Sequence, residues 1–379
     1  MIPYGHQSIS DKDKQAVLRV LESDFLTQGP EVENFERALC AYTGAKYCVC
    51  VSNGTAALHI AAAALEIPTG AEGITSPITF AASANCLIYN NLIPRFADID
   101  KKSRCLSPEE TEKKLTQQTK LLIPVHYAGR VCEMQKFSEL AKKFALHIIE
   151  DAAHAIGSSY PDGSRVGCCK HSDMTIFSFH PVKTITCGEG GAVTTNNPKL
   201  YRKLKMLRSH GITKEDIPRD SGPWYYEMQT LGFNYRMTDI QAALGRSQLD
   251  EIENFAEARR KICRIYNAAF AGIDGIQIPD PTGLDRECRH LYPLEIDFGK
   301  LGISRKELMA ALREKGIGSQ VHYIPVHLLP YYREKYQYSM GDFRESENFY
   351  LQELSLPLYP SMTECDISTV VSGVLQCIK

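Results

Sequence analysis

Short apolar runs alternate with amphipathic segments along the first two thirds of the chain. Runs typical of buried strands lie at 47–51, 74–80, 93–98, 121–126, 148–151, 174–179 and 191–195. Predicted helices lie between or beside them, at 10–23, 31–42, 56–65, 81–87, 109–114, 134–144 and 198–210. This alternation predicts an α/β fold in which helices cover both faces of a mostly parallel sheet.

The last third has a different pattern. A long helix is predicted from 238 to 252 and on through 270, and such a helix often joins two domains. Beyond it we predict an edge strand, a strand running into a loop and three helices, at 291–296, 321–327, 304–315, 342–352 and 366–377. The chain is therefore predicted to comprise a large domain, 1–252, and a smaller α+β domain, 253–379. A polar and aromatic stretch at 221–232 is predicted to be an exposed loop or hairpin.

Composition excludes several classes of partner. The chain has 379 residues, 44% of them hydrophobic and 23% charged, with a net charge of -2. This balance gives no electrostatic reason to expect binding to nucleic acid or to a membrane surface. No run is apolar and long enough to cross a bilayer.

The start of the chain has neither the basic nor the apolar region of a signal peptide. Without one, the thirteen cysteines suggest reduced thiols, so we expect a cytoplasmic protein. Cys168, Cys169 and His171 have no second ligand pair at a recognisable spacing, so no metal site is predicted.

Candidate chemistry centres on Lys183, which lies between the apolar run 174–179 and a Gly-Glu-Gly-Gly turn at 188–191. Upstream, Asp151 ends a predicted strand and His154 follows it. Pyridoxal phosphate (PLP) requires an imine-forming lysine and a carboxylate on its pyridinium nitrogen. Each residue also has a simpler interpretation, since Lys183 could be a solvated loop lysine and Asp151 a strand-end or capping acid.

A Ser-Asn-Gly-Thr turn at 52–55 lies between a predicted strand and a helix. Free backbone N–H groups and the helix dipole can make such a turn a phosphate site, although the turn alone is more typical of a capped helix start, since Asn53 and Thr55 are good capping residues. Phe80 could stack on an aromatic cofactor or fill the core. In parallel sheets ligands bind at the carboxyl ends of the strands, where Gly54, Phe80, Asp151 and Ser178 are predicted to lie.

Taken in order, six motifs of the chain resemble those of the PLP-dependent sugar-nucleotide aminotransferases of the DegT–DnrJ group. They are LTQG at 26–29, SNGTA at 52–56, EDAAH at 150–154, SFHPVK at 178–183 with GEGG at 188–191, RSHG at 208–211 and NYRM at 234–237. Within the group, the stretches at 77–85, 127–129 and 320–325 are most similar to the aminotransferases of pseudaminic acid biosynthesis.

The resemblance implies the aspartate aminotransferase fold (fold type I), with a mostly parallel seven-stranded sheet. It also implies a homodimer whose active sites lie at the subunit interface. Lys183 would form the imine with PLP and then move the proton, for which its pKa must be lowered by desolvation. Asp151 would keep the pyridine nitrogen protonated, and His154 would lie near the ring and its phenolic oxygen.

The remaining roles that the resemblance implies concern binding. Gly54, Thr55 and Ser178 would hold the phosphate, Asn234 would reach it from the other subunit, and Phe80 would stack on the ring. The alternative for Asn234 is an N-terminal cap of the long helix. His322, Tyr323 and His327 would contact the sugar nucleotide.

The implied reaction moves an amino group, expected to come from L-glutamate, to C4 of a UDP-linked 4-keto-6-deoxy-N-acetylhexosamine. Three alternatives stay open: another nucleotide-linked 4-keto sugar, a non-catalytic regulatory protein of this fold, and a PLP enzyme of different outcome such as a dehydratase. Lys183 and Asp151 speak against the regulatory protein. Dehydratases of the group have His in place of the lysine, so Lys183 disfavours that alternative too.

Overall fold

The computed structural model describes residues 1–214 and 222–378. Its strands are β1 Tyr47–Val51, β2 Glu72–Thr75, β3 Ile93–Phe96, β4 Thr119–Ile123, β5 His147–Asp151, β6 Met174–Ser178, β7 Gly191–Thr195, β8 Ile212–Thr213, β9 Glu227–Met228, β10 Ile276–Gln277, β11 Tyr292–Ile296 and β12 Glu353–Leu356. Its helices are α1 Asp11–Leu21, α2 Pro30–Thr43, α3 Gly54–Ala64, α4 Ala82–Tyr89, α5 Pro108–Lys114, α6 Met134–Phe144, α7 Pro198–Arg208, α8 Asp239–Leu249, α9 Ile252–Phe270, α10 Phe298–Leu301, α11 Arg305–Glu314, α12 Pro330–Tyr336, α13 Arg344–Gln352 and α14 Glu364–Cys377.

A seven-stranded sheet has the order β1-β7-β6-β5-β4-β2-β3. The neighbours from β6 to β3 are parallel, and β7 is antiparallel to both β1 and β6. Successive side chains of a strand point to opposite faces, so Phe177 joins one apolar cluster while Met174 and Ile176 join another. The predicted mostly parallel sheet, covered on both faces, is confirmed.

A three-stranded antiparallel sheet, β10-β11-β12, carries a separate apolar cluster. Helix α9 contributes to both regions, because Ile252 packs in a cluster of the large sheet and Tyr266 in that of the small one. The division at 252/253 thus falls at the start of a shared helix, and it stays a prediction.

Residues 2–8 cross between the two regions. Ile2 pairs with Ile317 and packs against the cluster of the small sheet. Gly5 lies beside Val182, since a Cβ added to Gly5 would be 3.6 Å from that of Val182. The carbonyl of Ser8 accepts a hydrogen bond of 2.8 Å from the Gln248 amide of α8.

Three predicted elements differ in the structure. The long helix is interrupted at residues 250–251, giving α8 and α9. The predicted edge strand is the middle strand β11, with β12, which was not predicted, on one side. The predicted strand at 321–327 is a loop that ends in a 3₁₀ turn, Val326–Leu328, and Gln320 alone bridges to Ser355.

The polar stretch at 221–232 contains β9, which pairs antiparallel with β8, while residue 221 lies outside the described residues. Within 1–214 and 222–378, no helix is long and apolar enough to cross a membrane.

Candidate active site

Asp151 is the last residue of β5 and is 4% exposed. One carboxylate oxygen, Oδ2, accepts a hydrogen bond of 2.6 Å from Ser83, and Oδ1 accepts one of 3.1 Å from the Ala153 N–H. The Ser83 hydroxyl also lies 2.7 Å from that of Thr79. The carboxylate is therefore held in one orientation at the carboxyl edge of the sheet.

The Lys183 amine lies near this carboxylate, in the loop after β6. Burial lowers the pKa of Lys183 to about 8, even though the charge of Asp151 acts in the opposite direction. The backbone of the loop is fixed on both sides, because the Lys183 N–H donates to His180 and the Phe179 N–H to Gly190. A lysine that is partly neutral near physiological pH can act as a nucleophile and as a base. The lowered pKa expected from the sequence is thus found, with desolvation as its cause.

The start of α3 forms a narrow cradle beside the end of β6. The side chain of Asn53 caps the helix by accepting from the Ala56 N–H at 2.8 Å. The N–H groups of Gly54 and Thr55, in the first turn, have no hydrogen-bond acceptor among residues 1–214 and 222–378, so they can donate to a ligand. A Cβ on Gly54 would lie 2.8 Å from that of Ser178, so the chain can approach this closely only with glycine. The helix start and the Ser178 hydroxyl together suit a phosphate group.

His154 is oriented by two partners. Its Nδ1 accepts a hydrogen bond of 3.3 Å from the Ala128 N–H, so the proton of the neutral ring is on Nε2, which lies 3.1 Å from the Tyr323 hydroxyl. Burial and the charge of Lys183 hold the pKa of His154 well below its usual value. Burial also raises the pKa of Tyr323, so that its phenol stays protonated and can donate to a ligand.

Phe80 and His322 complete the surroundings of Tyr323. The Phe80 side chain is 64% exposed, and its ring centroid is 6.3 Å from that of Tyr323. An exposed aromatic ring at this position is free to stack on a flat ligand, rather than filling the core. The His322 ring lies 5.0 Å from that of Tyr323, and burial together with the charge of Lys183 lowers the pKa of His322 to about 3.

Two predicted site residues are not brought into this group. His327 is fully buried, its Nε2 is 3.0 Å from Glu347 and its ring packs against Phe343. Asn234 is exposed, and its main chain bridges to Ser209. The capping interpretation of Asn234 is wrong, because α8 begins five residues later and its cap is Thr238.

The structure adds residues that the sequence interpretation missed. Ser83 lies in the stretch 77–85 but was assigned no role, and its hydroxyl at the start of the helix after β2 was the available signal. The ring of His290 lies 4.5 Å from that of His154, and burial with the neighbouring charges lowers its pKa strongly. No local pattern around His290 indicates that contact.

These residues fit PLP by the chemistry of their groups. The site combines a desolvated amine, a fixed carboxylate and a helix start with free N–H groups, and PLP presents an aldehyde, a ring nitrogen and a phosphate to such partners. Fold and site together therefore define a PLP-dependent transferase of amino groups.

The chain belongs to the DegT/DnrJ/EryC1/StrS aminotransferase family, which it matches over residues 7–375. It is 41% identical over 380 residues to the uncharacterized protein MJ1066 of Methanocaldococcus jannaschii, covering 100% of this chain and 98% of the relative. It is 39% identical over 381 residues to the spore coat polysaccharide biosynthesis protein SpsC of Bacillus subtilis, covering 100% and 97%.

Comparison with solved structures also finds aminotransferases. PseC of Helicobacter pylori, an aminotransferase involved in the biosynthesis of pseudoaminic acid, superposes with a TM-score of 0.93 at 32% identity, covering 100% of this chain and 99% of PseC. The PLP form of the putative sugar aminotransferase Spr1654 from Streptococcus pneumoniae has a TM-score of 0.90 at 30% identity, covering 100% and 98%. The predicted family, the fold type I architecture and the PLP cofactor are confirmed, and the protein is a sugar aminotransferase.

Proposed function

We propose that this enzyme transfers an amino group from L-glutamate to C4 of a UDP-linked 4-keto-6-deoxy-N-acetylhexosamine. The observation that carries the proposal is the desolvated Lys183 amine beside the fixed Asp151 carboxylate. It occurs in a chain that is similar over its whole length to PseC, an aminotransferase involved in the biosynthesis of pseudoaminic acid.

The thirteen cysteines are all free, which supports a reducing compartment such as the cytoplasm.

Lys183 is proposed to hold the cofactor and then to move the proton. Bound PLP supplies an aldehyde that links covalently to amines and a ring that accepts the electron pair left when a C–H bond breaks. With its pKa near 8, the Lys183 amine can take the proton from the carbon of the amino donor and later deliver a proton to C4 of the sugar. The face from which it delivers that proton determines the stereochemistry of the product.

Asp151 and His154 are proposed to set the charge around the ring. The Asp151 carboxylate, fixed by Ser83, stabilises a proton on the ring nitrogen, which makes the ring a stronger electron acceptor. His154 is proposed to lie, as a neutral imidazole, near the ring, and its partner Tyr323 is proposed to donate its hydroxyl to a ligand oxygen.

The binding roles are proposed from the family resemblance, and the arrangement of Gly54 and Ser178 supports the phosphate site. Gly54, Thr55 and Ser178 are proposed to hold the phosphate, and Phe80 to stack on the pyridine ring. Asn234, which is exposed, is proposed to reach the phosphate of a second copy of the chain, so that the enzyme works as a homodimer with shared sites. His322 and Tyr323 are proposed to contact the sugar nucleotide.

A second candidate is the same reaction on another nucleotide-linked 4-keto sugar. The observation that favours it is the greater identity to SpsC, 39%, than to PseC, 32%. The two candidates differ in substrate alone.

The test is to incubate the PLP-loaded enzyme and glutamate with the UDP-linked 4-keto-6-deoxy-N-acetylhexosamine, and in parallel with a dTDP-linked 4-keto-6-deoxyhexose. Mass spectrometry should show the amino sugar from the UDP substrate, together with 2-oxoglutarate in equal amount. An amino sugar formed from the dTDP substrate alone would favour the second candidate. Absence of both products, with PLP bound, would contradict the proposed function.

A further inference from the structure

Glu353, Ser355 and His322 form a buried hydrogen-bonded chain beside the candidate active site. The Ser355 hydroxyl lies 2.5 Å from Glu353 Oε1 and 2.9 Å from His322 Nδ1. The backbone N–H of His322 donates to the other carboxyl oxygen, Oε2, at 2.8 Å. Glu353 and Ser355 are fully buried, and His322 is 6% exposed. These hydrogen bonds thus link the buried Glu353 carboxyl group to the His322 ring, which lies beside the candidate active site.

The loop that carries His322 is fixed around this chain. The Tyr127 hydroxyl donates to the His322 carbonyl at 2.6 Å, and Ser355 and Gln320 exchange backbone hydrogen bonds of 2.8 and 3.2 Å. Nδ1 of His322 is hydrogen-bonded to Ser355, whereas Nε2 has no hydrogen bond within the described residues. Nε2 is therefore the atom of His322 that is available to a ligand.

Several charged and titratable groups face Glu353 and His322, the two ends of this hydrogen-bonded chain. Around Glu353 lie Arg305 of α11 and Glu295 of β11, and Glu295 is itself held by Arg104. Tyr127 and Tyr323 face Glu353 as well. Around His322 lie four further groups: Lys183, His154, His290 and Tyr4.

Burial dominates at both ends. It raises the pKa of Glu353 to about 8, against the opposing effects of the Ser355 hydroxyl, the His322 N–H and Arg305. It lowers the pKa of His322 to about 3, so this ring is neutral when Glu353 titrates. The only change left to His322 in that range is which nitrogen carries its proton.

Donor and acceptor rules fix that choice. An ionised Glu353 can only accept, so the Ser355 hydroxyl donates its hydrogen bond to it, and the Ser355 oxygen must then accept a hydrogen bond from His322 Nδ1–H. A protonated Glu353 accepts the His322 N–H on Oε2 and carries its own proton on Oε1. That O–H donates a hydrogen bond to the Ser355 oxygen, so the Ser355 hydroxyl turns to donate to Nδ1. Nδ1 must then be bare, and the single proton of the neutral His322 ring is on Nε2.

We propose that Glu353 and Ser355 are positioning residues that set the tautomer of His322. While Glu353 is protonated, His322 presents Nε2–H to the pocket. Once Glu353 is ionised, His322 presents a bare Nε2. The contact between His322 and the sugar nucleotide rests on the proposed function. His322 is proposed to meet a carbonyl or phosphate oxygen of the keto sugar nucleotide. Such an oxygen only accepts, so the N–H form is the one that binds it.

Nitrogen-15 NMR of the PLP-loaded enzyme, labelled at histidine, tests the tautomer directly. Protonated and bare ring nitrogens have well separated shifts, and His322→Asn identifies the signals. From about two pH units below to about two above the pKa of Glu353, the wild-type signal should change from the Nε2–H to the Nδ1–H form. A single tautomer throughout that range would overturn the proposal.

Glu353→Gln is the decisive variant, because its amide always donates to Ser355 and accepts from the His322 N–H. It should keep the Nε2–H form at every pH, and Ser355→Ala should lose the pH response. Glu347→Gln, which alters the separate Glu347–His327 pair, is the matched control and should leave the change at His322 intact. A wild-type response in Glu353→Gln would overturn the proposal.

The substrate readout is the KM for the keto sugar nucleotide. In the wild type it should rise by up to about tenfold as Glu353 ionises, with a smaller change in kcat, and it should stay flat in Glu353→Gln. The NMR result needs no turnover. A tautomer change in an enzyme that does not aminate the UDP-linked sugar would therefore contradict the proposed function alone, and an unchanged wild-type KM would overturn the contact of His322 with substrate.

Discussion

The Lys183 side chain gives the most direct test at the scale of a single residue. We expect Lys183→Ala to keep its fold and to lose amino transfer, together with the absorbance of lysine-bound PLP at about 400–430 nm. In the enzyme freed of PLP, Lys183 should react with an acylating reagent with a midpoint near pH 8, because the neutral amine is the reactive form. Lys142→Ala, at an exposed position, is the control and should behave like the wild type. Unchanged turnover in purified Lys183→Ala would rule out the assigned role.

The variant Asp151→Asn tests the proposed role of Asp151 as the charge partner of the ring nitrogen. Asp151→Asn should still bind PLP but turn over on the order of 10²–10⁴-fold more slowly, by analogy with other fixed charge partners. Ser83→Ala retains the carboxylate and removes only its 2.6 Å hydrogen bond, so its loss of kcat should be much smaller. If Asp151→Asn slowed the reaction by less than about threefold, another acid would have to perform this role.

At the scale of the element, the apolar pattern of the sequence was sufficient to predict the bounds of strands and helices that pack against one or two apolar layers. The bounds of β1, α6 and β7 agree with those predicted: β1 is a continuous apolar run, β7 is a short strand buried throughout, and α6 has regular helical apolar spacing. The candidate site followed from the same pattern, since Asp151 and Ser178 end strands that the sequence predicts. Parallel neighbours bring such strand ends together.

The elements that were missed depend on contacts between distant segments. Glu295 of β11 looks like a solvent-facing residue of an edge strand, but Arg104, distant in sequence, forms an ion pair that allows its burial. Strand β12 was not predicted because it begins with a buried acid, Glu353, and so does not have the sequence pattern of an apolar strand. His290 joins the site through a tertiary contact with His154 for which the sequence has no local signal, whereas the hydroxyl of Ser83 in the stretch 77–85 was a signal that the interpretation did not use.

The start of α3 allows a prediction about packing between elements. A methyl group at Gly54 would meet Ser178, so Gly54→Ala should reduce the free energy of unfolding by about 1–3 kcal/mol and weaken PLP binding. Ser178→Gly removes the atoms that would clash, so the double variant should recover part of the stability lost by Gly54→Ala. Urea unfolding of the four proteins measures this coupling. Strictly additive losses would show that the clash is relieved elsewhere.

At the scale of the whole molecule, the exposed Asn234 tests the proposed homodimer. If Asn234 of one chain binds the PLP phosphate of another, PLP stabilises the dimer by mass action. Sedimentation equilibrium should then show a weaker dimer without PLP, and Asn234→Ala should raise the apparent Kd for PLP. A monomer with full activity and ordinary PLP affinity would exclude a shared site.

The crossing of residues 2–8 has a mechanical consequence. The region around the small sheet is attached to the region around the large one at several places: by α9, by the segment that runs from Ile2 past Gly5, by the Arg104–Glu295 ion pair and by the hydrogen bond from Tyr127 to His322. A body attached at two points can still turn about the line that joins them, whereas one attached at several points off that line can turn only if some attachments break. Any turn of β11 and β12 against the large sheet would therefore cost the energy of the contacts that it breaks.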